Sequence, residues 1–66
     1  MKIIIEYNGK TYESAENNDI TAEQTKNAMY DDFEDYTKLE MELKTGGYLI
    51  IGRDAVQSCA ITILDT

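Results

Sequence analysis

A chain of 66 residues with 13 acidic and 6 basic side chains, net charge −7, makes one domain at most. That sign disfavours non-specific nucleic-acid binding and attachment to an anionic membrane, both of which need positive charge. With no histidine and a single cysteine, the common zinc sets and an intramolecular disulfide are excluded; a domain this small, stable by only about 3–10 kcal/mol, leaves little room for a catalytic cleft beside its core.

The first segment, Lys2–Tyr7, is apolar and β-branched and runs into Asn8-Gly9. Asn-Gly between two such runs is the strongest short signal for a hairpin, because a type I′ turn needs positive φ at both positions. Closing there pairs Tyr7 with Lys10, Ile5 with Tyr12 and Ile3 with Ser14. Ile3, Ile5, Tyr7 and Tyr12 then share one face, and Ile4 takes the other beside Glu6, Thr11 and Glu13. The opening apolar run is too short for a signal peptide, and no stretch reaches the ~20 apolar residues of a membrane span. Together with the free thiol of Cys59, this leads to the expectation of a cytoplasmic protein.

Residues 15–19 are polar and read as a loop. Thr21-Ala22-Glu23-Gln24 has the form of a capping box, in which the Thr21 hydroxyl serves the Gln24 N–H and the Gln24 side chain reaches back. Ala22, Thr25, Met29, Phe33 and Tyr36 then recur at helical spacing, which predicts a helix over about 22–35. Residues 39–43 alternate Leu39, Met41 and Leu43 with Glu40 and Glu42. On a continued helix Leu39 and Met41 would diverge by about 200°, so the alternation favours a strand over a helical extension. Gly46-Gly47 predicts a second hairpin into residues 48–51. Arg53–Ser58 reads as a loop or single helical turn, and residues 59–64 as a last strand.

The order β-β-α-β-β-β implies an α+β, two-layer domain, with one amphipathic helix packed on one face of an antiparallel sheet. A two-residue turn at Gly46-Gly47 sets Leu43 opposite Ile50 and turns Tyr48 and Ile50 toward the helix. Ile61 and Ile63 are expected to take the core. Ile4, Leu49, Ile51 and Leu64 are then left on the outer face, as a surface for self-association. A three-residue turn would instead exchange Leu49 and Ile51 for Tyr48 and Ile50.

The functional signal is the run Met29-Tyr30-Asp31-Asp32-Phe33-Glu34-Asp35-Tyr36. Met29, Phe33 and Tyr36 belong to the core stripe, which leaves Tyr30, Asp31, Asp32, Glu34 and Asp35 as candidate partner-binding residues. Residues 13–42 carry ten of the 13 acids against Lys26 and Lys38, a net of −8. Like charges three and four apart destabilise a helix by about 0.2–0.5 kcal/mol each, and the C-terminal half of a helix dipole favours cations. A solvated face that keeps the protein in solution accounts for the charge but not for its placement. Carboxylates at ~5–6 Å spacing can occupy a groove built for phosphates. The spacing of Asp31, Asp32, Glu34 and Asp35 is not that of a calcium loop, and glycine-rich phosphate motifs are absent. Without histidine there is no conventional triad, and Cys59 has no basic neighbour in sequence to activate it. The expectation is therefore a non-enzyme without cofactor or metal. It would be a small inhibitor or adaptor of the sort phages and mobile elements direct at host defence, mimicking nucleic-acid charge. Its partner would be a basic surface on a nucleic-acid-binding enzyme, with a self-associating structural domain as the alternative.

Overall fold

The computed structural model describes residues 1–32 and 38–65. In chain order the elements are β1 (Lys2–Tyr7), β2 (Lys10–Glu13), α1 (Ala22–Asp32), β3 (Lys38–Glu42), β4 (Tyr48–Gly52), α2 (Arg53–Ser58) and β5 (Ala60–Leu64), an α+β domain. Asn8 and Gly9 have φ of 51° and 76°, the left-handed pair that a type I′ turn requires. The first hairpin closes in the expected register, Tyr7 opposite Lys10 and Ile5 opposite Tyr12. β5 runs antiparallel along the other side of β1, with Ile61 opposite Ile5 and Ile63 opposite Ile3. Ile5, at the centre of this three-stranded sheet, is 0% exposed.

Residues 38–42 are a strand, as the alternation predicts, paired with β4 in a separate two-stranded sheet. The two sheets are joined at one isolated bridge, Ser14 to Leu43. Flanking it, the Ala15 N–H donates to the Glu42 carbonyl at 2.9 Å and the Lys44 N–H to the Glu13 carbonyl at 3.0 Å. This junction gives both sheets a common inner side. There Ile5, Leu39, Met41 and Val56 form the buried core, with Ile3, Tyr12, Met29, Leu49, Ile51 and Ile61 packed against it.

The second turn differs from the expectation. The Leu43 N–H donates to the Gly47 carbonyl at 2.9 Å and the Gly46 N–H to the Leu43 carbonyl at 3.0 Å. The loop is thus Lys44-Thr45-Gly46, with Gly46 at φ 93° and Gly47 at φ 81°. Met41 now pairs with Leu49 and Leu39 with Ile51. The parity of β4 is reversed, so Leu49 and Ile51 pack on the core and Tyr48 and Ile50 face outward.

Both halves of the capping box form: the Gln24 N–H donates to Thr21 Oγ1 at 3.1 Å and the Thr21 N–H to Gln24 Oε1 at 2.9 Å. A further cap comes from the far end of the chain, where Asp65 Oδ1 accepts the Ala22 N–H at 2.8 Å. Ala22, Thr25 and Met29 form the half-buried stripe of α1. The rest of that stripe, Phe33 and Tyr36, and the expected helix end at residue 35 lie outside the described residues. The segment Arg53–Ser58 is a short helix that drives Val56 into the core beside the β3–β4 hairpin. Among the described residues, no helix is long and apolar enough to cross a membrane.

Candidate partner-binding surface

Alternation along β3 and β4 sends Glu40, Glu42, Tyr48 and Ile50 to the side away from the core. Tyr48 stands opposite Glu42, and Ile50 opposite Glu40. The Leu43–Gly47 hydrogen bond fixes which pairs of the ladder are bonded. By alternation the Glu42–Tyr48 and Glu40–Ile50 pairs are the unbonded, narrow ones, whose side chains stand closest. Tyr48 is 74% exposed and Ile50 63%, and both carboxylate residues are exposed beside them. An exposed aromatic and a β-branched aliphatic thus sit against two carboxylates on one rigid ladder.

The outer face continues across the Ser14–Leu43 bridge to Glu13. Its two carboxylate oxygens are divided between Lys44 Nζ at 3.0 Å and Lys2 Nζ at 3.3 Å. Hydrogen bonds from Lys44 and then Lys2 hold this carboxyl below the usual range. Lys2 and Lys44 are thus both held at Glu13. Beyond them lie Ile4, half-buried, and Leu64, 40% exposed.

Of the self-association face expected at Ile4, Leu49, Ile51 and Leu64, only Ile4 and Leu64 point outward. Leu49 and Ile51 are turned into the core by the loop at Lys44-Thr45-Gly46. Of the candidate partner residues, Tyr30, Asp31 and Asp32 belong to the end of α1, and their side chains lie outside the described residues, as do Glu34 and Asp35 altogether. Tyr48 and Ile50 take their place on the outer face, the alternative that a three-residue turn implies. The signal that finds them is the left-handed glycine closing a three-residue loop, which fixes the parity of everything after it. Cys59 is half-buried, its thiol donates to the Val56 carbonyl at 3.4 Å, and burial pushes its pKa up. A thiol held in its neutral form is a poor nucleophile. Comparison with family models, curated proteins and solved structures finds no match.

Proposed function

We propose that the protein is a non-catalytic binding domain, an inhibitor or adaptor that engages a basic surface on another protein. The observation that carries this reading is the exposed pairing of Tyr48 and Ile50 with Glu42 and Glu40 on the outer face of the second hairpin. Exposed tyrosines on a fixed backbone are effective contact residues because they bury a large area at small entropic cost. Flanking carboxylates add steering toward cationic partners and repel acidic ones. The net charge of −7 extends the same preference over the whole chain.

The more specific form of the proposal is charge mimicry of nucleic acid, directed at a nucleic-acid-binding enzyme such as a phage meets in host defence. Glu40 and Glu42 repeat along β3 at about 6.6 Å, a regular row of negative charge beside an aromatic ring. The acidic run at Tyr30, Asp31, Asp32, Glu34 and Asp35 adds four more carboxylates to the chain. Affinity capture with the wild type, with Tyr48→Ser/Ile50→Ser, with Glu42→Lys and with Asp31→Lys/Asp35→Lys tests both elements. The expected result is one nucleic-acid enzyme captured by the wild type, competed off by DNA or RNA, and lost by the first two variants with their melting temperatures unchanged. Loss in the Asp31→Lys/Asp35→Lys variant as well assigns the acidic run to the same interface. Undiminished capture by all three variants refutes the reading.

A further inference from the structure

β5 lies at the opposite edge of the fold from β4, and its only strand partner among the described residues is β1. The Ile3 carbonyl accepts the Ser14 N–H, so Ile3 and Ile5 turn their backbone groups toward β2, and Ile4 turns its own toward β5. Thr62 stands opposite Ile4. Ala60, Thr62 and Leu64 are therefore the residues of β5 that bond β1, and Ile61 and Ile63 aim their N–H and C=O groups at the open edge. Natural edges are blunted by charge, proline or a bulge; β5, with the sequence AITIL, has no charge and no proline.

That edge opens onto a groove. A hollow of about 520 Å³ is walled by Met29 and Lys26 of α1, Val56 of α2, and Cys59, Ile61 and Ile63. A second, of about 440 Å³, shares Lys26, Ile61 and Ile63 and is closed by Ala22 and Glu23. No residue of β1 lines either hollow, so both lie on the open side of β5, between the strand and α1. Strand groups with no further strand partner among the described residues, beside two hollows that share Ile61 and Ile63, meet the two requirements for strand addition, main-chain bonds for affinity and pockets for alternate side chains.

We propose that this groove takes an extended segment of another protein as an added strand on β5. Aliphatic side chains at alternate positions fill the two hollows, and the lysine or arginine side chains between them face away from α1. Charge decides the occupant. Lys26 borders both hollows and Glu23 the second, with the Asp65 carboxylate at the same end against the Ala22 N–H at 2.8 Å, so local charge is nearly balanced and the net charge of the chain carries the choice. A second copy pairing β5 with β5 would bring two chains of −7 together, whereas a basic segment is attracted. The proposal does not depend on the outer face of β3 and β4, whose residues line neither hollow.

The experiment titrates the full chain with a synthetic heptapeptide of alternating lysine and valine, followed by amide NMR. In an antiparallel added strand the valines stand opposite Ile61 and Ile63, so their N–H groups bond β5 and the lysine N–H groups point outward. N-methylation of the valines should weaken binding about tenfold or more, since it removes two or more hydrogen bonds. N-methylation of the lysines should leave affinity unchanged. Binding should slow exchange of the Ile61 and Ile63 amides. Four results would each overturn the proposal: no shifts at millimolar peptide, equal loss from both methylated peptides, shifts confined to other strands, or Ile61 and Ile63 amides already protected in a dimer of the free protein.

Discussion

Ser14 is the residue on which the two sheets turn. It is 6% exposed, and its hydroxyl accepts the Ile3 N–H at 2.8 Å while donating to the Ala15 carbonyl at 3.0 Å. Its own N–H donates to the Ile3 carbonyl at 2.8 Å, and on its other side it bridges to Leu43. Ser14→Ala leaves the Ile3 N–H without an acceptor in a part-buried site, and the expected loss is about 1–3 kcal/mol. Urea unfolding should show a lower midpoint with an unchanged slope, and exchange of the Ile3 amide should quicken. Wild-type stability in this variant would show that water replaces the hydroxyl without cost. The pairing of Ser14 with Ile3 was legible in the sequence, because Asn8-Gly9 sets that register by itself. The use of its hydroxyl was not, since the strand register does not say whether the Ile3 N–H is met by the Ser14 carbonyl or by its side chain.

At the scale of elements, the two hairpins show what local chemistry can and cannot decide. Asn-Gly admits essentially one tight turn, whereas Gly46-Gly47 admits several, because either glycine can take the left-handed position. Hydrophobic pattern could not arbitrate, since Tyr48 with Ile50 and Leu49 with Ile51 are both apolar pairs. The choice rests on the whole core, which seats Leu49 and Ile51 opposite Met41 and Leu39. The sequence offers both pairs for the outer face, and the loop at Lys44-Thr45-Gly46 decides for Tyr48 and Ile50. A Cβ on Gly46 or Gly47 would meet nothing within 4 Å, so any cost there is backbone strain alone. Gly46→Ala should lose about 1–2 kcal/mol for its φ of 93°. Gly46→Asn should lose less, because asparagine tolerates that region better. Equal melting temperatures for Gly46→Ala and the wild type would mean that the hairpin can change its loop at no cost.

For the molecule as a whole, charge should make folding and the proposed binding respond to salt in opposite directions. Compaction of a 66-residue chain carrying −7 works against self-repulsion, and ten of its acids fall within residues 13–42. The attractive pairs at Glu13 oppose this only weakly, because Lys44 is well exposed and such pairs contribute little. Screening at about 1 M salt, where the Debye length is near 3 Å, removes more repulsion than attraction. If the gain is about 1 kcal/mol, Tm should rise by about 4–8 °C for a domain of this size. An interface with a basic partner loses its steering under the same conditions, so association should slow as salt rises. Melting curves and association rates measured across one salt series separate the two. A Tm that falls with salt would mean that the Lys2–Glu13–Lys44 pairs outweigh the repulsion; an association rate indifferent to salt would mean that the acidic surface serves solubility and not recognition.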